Sequence, residues 1–146
     1  MGLHPVATMA DHTERDLQRA LVTTVWFLRS TLSEALTSTS GFAYVSACCS
    51  LGSGLADAAV SLAEMLPCAD PPENDLPKAQ ARLAVCVAIM RAASAHAAIA
   101  KVVDDDETRD RERRFATKAI EHAKAEAHRA LAILAEIYPD AYEREE

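Results

Sequence analysis

An arginine and a histidine, Arg91 and His96, are the two residues whose types and spacing best suit chemistry. A histidine can exchange protons near neutral pH, and an arginine can bind and neutralise a phosphate oxygen. Together they could cleave a phosphodiester bond without a metal ion. The structural interpretation is that the stem of Arg91 packs on the edge of a helical bundle and that His96 makes a hydrogen bond between helices.

The segment from Arg91 to His96 reads Arg-Ala-Ala-Ser-Ala-His and follows an R-x4-H pattern. In this respect it resembles the HEPN class of helical ribonucleases. The resemblance implies a small helical dimer that cleaves RNA with these two side chains. The chain departs from the usual pattern at two points, because Ala92 stands where a polar residue usually follows the arginine and no tyrosine follows His96.

A metal site is the second candidate, with His96, His122 and Glu126 as its ligands. His122 and Glu126 are four residues apart, so they share one face of a helix. Di-metal carboxylate bundles need Glu-x-x-His on two helices and an inward Glu on each of the others. The sequence contains no Glu-x-x-His. We therefore predict that these histidines and this glutamate lie at the surface, and we expect no cofactor.

The chain has four cysteines, and none of them has the paired spacing of a zinc site. They are Cys48, Cys49, Cys68 and Cys86. Within a helical apolar pattern a thiol behaves as a small apolar side chain. We therefore predict free structural thiols, with Cys86 the slowest to react. Reduced thiols and an N-terminal segment without an apolar run favour a cytoplasmic protein.

The charge of the chain limits its partners. With 22 acidic and 15 basic residues the formal net charge is −7, and an acidic chain repels phosphate backbones, so we expect no nucleic-acid partner. No Lys or Arg occurs between Ser30 and Pro77, which predicts an acidic face suited to a basic protein partner. Residues 42–65 come nearest to a membrane span, but Asp57 near their middle would be costly in lipid, so we expect no membrane span.

Apolar residues recur at steps of three and four residues in four segments, which indicates long helices. The clearest segment is residues 77–103, with the row Ala79, Leu83, Cys86, Met90, Ala93, Ala97 and Ala100. A second apolar row on the same segment consists of Val85, Ile89, Ala92, Ile99 and Val103. A helix this apolar needs neighbours on at least two sides.

The other three helices carry comparable rows. These are Leu17, Leu21, Val25, Leu28, Leu32 and Ala35 in the first helix; Val45, Cys48, Gly52, Leu55, Ala59, Leu62 and Leu66 in the second; and Phe115, Ala119, Ala123, Ala127, Ala130, Leu134 and Ile137 in the fourth. A capping box at Thr13 would start the first helix, and a turn over residues 104–108 would cap the last. The alanine-rich third and fourth helices should approach each other most closely.

Short connections make neighbouring helices antiparallel. We therefore predict an all-α, antiparallel up-down-up-down four-helix bundle over residues 11–138. Residues 1–10 are predicted to be a flexible N-terminal arm, and residues 139–146 an acidic C-terminal tail.

The helices carry more apolar surface than one bundle hides. Val22 and Trp26 lie outside the main row of the first helix, and Gly52 and Gly54 each cost about 1 kcal/mol relative to alanine in a helix interior. Close approach of another helix backbone, packed on these glycines and their small neighbours, would offset that cost. We predict a homodimer with these four residues in its interface and Trp26 as its anchor; the alternative is a monomer that buries both rows internally.

The predicted function is therefore non-catalytic. We expect a protein-interaction or structural bundle that self-associates and presents an acidic face to a protein partner. The nuclease of Arg91 and His96 and the metal site of His96, His122 and Glu126 are the alternatives.

Overall fold

The fold consists of four long helices and one short one. The structure, a computed structural model, describes residues 9–67 and 75–142. Its helices are α1 (Met9–Thr37), α2 (Phe42–Met65), α3 (Leu76–Val102), α4 (Asp106–Ile137) and the short α5 (Pro139–Tyr142). Helix covers 91% of the described residues and none of them lies in a strand, so the predicted all-α class is confirmed.

The four long helices pack in a ring, in chain order. α1 contacts α2 and α4, and α3 contacts the same two helices from the opposite side of the ring. Consecutive helices run antiparallel, with connections as short as residues 38–41 and 103–105. This is the predicted up-down-up-down bundle. The α3–α4 contact is the most extensive, as the alanine-rich rows of these helices predicted.

The ends of the helices match the sequence patterns at most points. α1 begins at Met9, four residues before the predicted capping box at Thr13, so that prediction is wrong. α4 begins as predicted, because the side chain of Asp105 accepts a hydrogen bond of 2.8 Å from the backbone N–H of Thr108. Hydrogen bonds from Thr108 hold the pKa of Asp105 below its usual value.

The predicted terminal segments fall mostly outside the described residues. Of the predicted flexible arm, residues 1–8 lie outside them, and the remaining two belong to α1. Of the predicted acidic tail, the first four residues form α5 and residues 143–146 lie outside the described part.

The inner row of α3 is the centre of the core. All seven of its predicted residues are buried, and α3 has neighbours on two sides, as predicted. Two side chains also tie α3 to the backbone of α2: Gln80 Nε2 donates to the carbonyl oxygen of Ala63 at 2.9 Å, and Ser94 Oγ donates to that of Cys49 at 3.3 Å. These bonds fix the rotation of α3 about its own axis.

The predicted rows of α2 and α4 require correction. In the first half of α4, Phe115 is 49% exposed, and Ala116 and Ile120 are buried in its place. In α2 the predicted Val45, Leu55 and Leu62 are only half-buried, while the buried positions belong to small residues such as Ser46, Ala56 and Ala63. Closely spaced helices leave room only for small side chains on the line of closest contact, so the large side chains lie on its flanks.

Gly52 makes room for side chains from two other helices. A Cβ atom added there would lie 3.0 Å from Met90 Cε of α3 and 3.1 Å from Leu32 Cδ2 of α1. Close packing at Gly52 is therefore confirmed, although side chains and not a helix backbone fill the space. At Gly54 an added Cβ would meet nothing within 4 Å, so the same explanation does not apply there.

Three of the four thiols lie in the described residues, and all three are free and buried: Cys48, Cys49 and Cys86. Cys68 lies outside the described part of the chain. The Cys86 thiol donates to the carbonyl oxygen of Ala123 on α4 at 3.4 Å. Burial raises the pKa of Cys86 to about 12 and that of Cys49 to about 11.

We expect Cys86 to be the slowest of these thiols to react with a thiol reagent, because the thiolate is the nucleophile and burial keeps it protonated. Mass spectrometry of peptides after timed alkylation of the native protein measures the three rates separately. Between neutral pH and 9 each of these thiols lies below its raised pKa, so each rate should rise with pH while Cys86 stays the slowest, and denaturant should make the rates equal. Fast native labelling of Cys86 would mean that α3 faces solvent.

Candidate functional site

Arg91 and His96 contact different helices. The guanidinium Nη2 of Arg91 lies 3.3 Å from Asp57 Oδ1 on α2, with both side chains at the surface. The ring nitrogen Nδ1 of His96 lies 2.5 Å from Glu112 Oε1 on α4. Residues five apart on an α-helix are separated by about 140° around its axis. A single chain therefore does not bring these two side chains into one site.

The His96 contact is a link between α3 and α4. Its partner Glu112 is buried, and the ring of Phe115 lies beside the imidazole, with 5.1 Å between ring centroids. The hydrogen bond satisfies a carboxylate that would be costly to bury alone. This arrangement is the interhelical hydrogen bond that the structural interpretation of His96 expected.

The three candidate metal ligands do not converge. Glu126 accepts hydrogen bonds of 2.9 Å from Arg82 and of 2.9 Å from Arg129, so both of its oxygens are engaged. His122 is exposed, and His96 is bonded to Glu112. Across residues 9–67 and 75–142, no group of three or more His, Cys, Asp or Glu side chains is placed to hold a metal ion.

The predicted interface residues are divided between the core and the surface. Val22 is only 4% exposed and Gly52 is buried, so in this fold neither can contact a second copy. The reason is that both face into the bundle, Val22 in the cluster around Leu21. Trp26 and Gly54 are exposed, and their part in a dimer stays a prediction.

The predicted acidic face is partly neutralised within the chain. Tyr44 Oη donates a hydrogen bond of 2.9 Å to Glu34, and this bond raises the pKa of Tyr44 to about 12. Arg91 pairs with Asp57, while Glu64 is exposed at the surface. Docking of a basic partner here stays a prediction.

Two apolar rows lie exposed on the outside of α2 and α3. The α3 outer row runs at steps of four and three residues and is exposed throughout: Ala81, Val85, Ala88, Ala92, Ala95, Ile99 and Val102. Of the predicted second row, Val85, Ala92 and Ile99 belong to it, whereas Ile89 and Val103 are half-buried. α3 is therefore apolar on opposite faces, and the described residues cover only one of them.

α2 has an equivalent surface that sequence reasoning missed. The α2 outer row runs at steps of three and four residues, and all of it is exposed and uncharged: Tyr44, Ala47, Leu51, Gly54, Ala58, Ser61 and Met65. The same three-four periodicity that identifies the inner row of α2 also identifies this row when it is counted from Tyr44. Leu51 and Met65 are more than half exposed, which is unusual for large apolar side chains on a solvated face.

The outer rows make α2 and α3 unusually apolar as whole helices. The most apolar windows of α2 and α3 have mean hydropathies of 1.4 and 1.8, and a third of each window is buried inside the bundle. By length and composition alone, both helices qualify as membrane spans. Core helices of soluble proteins meet the same criterion, so the criterion does not decide what covers the outer rows.

Comparison with models of known protein families, with curated proteins and with solved structures finds no match for this chain.

Proposed function

We propose that this chain is a non-catalytic protein-interaction module that self-associates through an apolar helical surface. The observation that carries the proposal is the pair of outer rows on α2 and α3, which residues 9–67 and 75–142 leave exposed along the length of both helices. Soluble proteins seldom expose apolar surface of this extent unless a partner covers it.

The side chains that could do chemistry support a non-catalytic role. Arg91, His96 and Glu126 each bind a side chain of a neighbouring helix. These contacts hold α3 to α2 on one side and to α4 on the other. Groups used in this way stabilise the bundle and position its outer surface.

A charge placed in the middle of the α3 outer row tests the proposal. Ala92 is exposed, so Ala92→Glu should leave the fold intact while placing a carboxylate where an apolar contact is needed. We expect the self-association constant to weaken by about tenfold or more, because a buried unpaired charge is costly. Light scattering across a dilution series measures the mass, which should move toward the 15.7 kDa of one chain.

Ala125→Glu is the matched control, since Ala125 is an exposed alanine of α4 and lies outside both outer rows. It makes the same chemical change and should leave the mass unchanged. A wild-type mass of 15.7 kDa at every concentration would overturn self-association. Equal loss of association in both variants would show that net charge, and not the outer row, controls it.

A further inference from the structure

The proposed self-association can be assigned a specific arrangement. Resting on that proposed function, we propose that the α2–α3 surface is a twofold interface in which α2 of one copy packs on α3 of the other. Under this arrangement, Asp57 and Arg91 exchange partners across the axis. The occupant of the outer rows is thus a second copy of this chain.

The distribution of charge over the two helices is the first argument. α2 carries two acids, Asp57 and Glu64, and no base, whereas α3 carries four Lys or Arg residues and no acid. The chain as a whole has a net charge of −7, so two copies repel each other over most of their surface. Packing α2 on the partner's α3 is the arrangement that sets acids against bases.

The Asp57–Arg91 ion pair supplies the second argument. Its charged atoms lie 3.3 Å apart, so the two charged groups stand at the same height between neighbouring antiparallel helices. A twofold axis parallel to the helices leaves the height of each group along the helices unchanged. It exchanges the lateral positions of α2 and α3 in the second copy. It therefore places Asp57 opposite Arg91 of the other copy, and Arg91 opposite its Asp57. A twofold axis perpendicular to the helices would instead set α2 against α2 and acid against acid.

The same axis also satisfies the helix directions. α2 and α3 are antiparallel within one chain, and the axis brings α2 beside an antiparallel α3 of the other copy. The four helices would form a second antiparallel bundle, with the outer rows as its core. Three-four apolar rows are the pattern that packs in such bundles. The four central charges would alternate in sign and fix the register of the two copies, as single buried polar groups do in coiled coils.

Charge reversal at the two central residues tests the arrangement. Asp57→Arg alone places four positive charges at the centre of the interface, and Arg91→Asp alone places four negative charges there. We expect each variant to weaken self-association by about a hundredfold or more, because like charges face each other across the axis. Both should fold, since an exposed ion pair contributes little to folding; circular dichroism checks this.

Mixing the two variants is the decisive measurement. In the mixture, a copy with two positive charges meets a copy with two negative charges, so a one-to-one dimer should form with twice the 15.7 kDa mass. Neither variant can form the ion pair between residues 57 and 91 within its own chain, so recovery of the dimer reports contact between copies. If each variant dimerises as the wild type does, the proposed arrangement is wrong, even where Ala92→Glu has confirmed association through the outer row.

Lipid is the competing occupant of this surface. Wild-type protein that stays at the mass of one chain and co-sediments with phosphatidylcholine vesicles would overturn the proposal. Wild-type protein that dimerises and stays in the supernatant would support it. A mixture of the two variants that remains monomeric, while each folds, would also overturn it.

Discussion

Met90→Ala is expected to lower the free energy of unfolding by about 2–5 kcal/mol. Met90 is fully buried in the inner row of α3, and its Cε atom fills the space beside Gly52. Truncation would leave a cavity in that place, and glycine has no side chain that could turn to close it. Urea denaturation followed by circular dichroism measures the loss.

Met90→Leu is the matched control. The substitution keeps most of the side-chain volume and all of its apolar character, so it should lower the free energy of unfolding by less than about 1.5 kcal/mol. A loss under about 1 kcal/mol for Met90→Ala, equal to that of the control, would contradict the central place of α3 in the core.

Gly52→Val is expected to lower the free energy of unfolding by about 1–3 kcal/mol. Its Cβ atom alone would lie 3.0 Å from Met90 Cε and 3.1 Å from Leu32 Cδ2, and the two additional methyl groups have no space. Valine forms helix slightly better than glycine, but that gain is a few tenths of a kcal/mol and cannot offset the overlap. The same denaturation experiment measures the effect.

Two further variants isolate the cause. Gly54→Val makes the same substitution at a position where nothing lies within 4 Å of the new Cβ, so it should change stability little. Met90→Ala combined with Gly52→Val should lower the free energy of unfolding by less than the sum of the two single changes. The added valine side chain would fill part of the cavity that Met90→Ala leaves, and the cavity would accept the valine without overlap. Additive costs would show that Gly52 and Met90 do not share the space.

The fold was largely predictable because one signal dominates it. The inner row of α3 is unbroken over seven positions and all of them are buried, and Asp105 caps α4 as its side-chain type predicted. Period and capping are local properties of the sequence. They can therefore be predicted without knowing which helices pack against each segment.

What could not be predicted is which of two neighbouring apolar rows faces the core in the first half of α4. Phe115 and Ala119 continue the row of Ala123 at three-four spacing as well as Ala116 and Ile120 do, and the structure buries Ala116 and Ile120. A periodic pattern admits both rows, so the packing of the neighbouring helices decides between them.

The partners of the candidate residues could not be predicted for a simpler reason. Arg91 and His96 were considered as a pair because of their spacing, although five residues correspond to about 140° of rotation and so to different neighbours. The second apolar row of α3 was left open between the interior and a dimer contact, since a sequence pattern does not tell which of two apolar faces is covered. The structure gives the partners of these side chains, Asp57 and Glu112, which no spacing rule identifies.

The two apolar faces of α3 also pose a question for the folding chain. Turned by about half a revolution, the helix would present its other apolar row to α2 and α4, so burial alone does not choose between the two packings. The hydrogen bonds from Gln80 to Ala63 and from Ser94 to Cys49 form in only one of them, as do the contacts of Arg91 and His96 with α2 and α4. Polar side chains on the flanks of α3 would thus decide which face of this helix the folded protein presents to the outside.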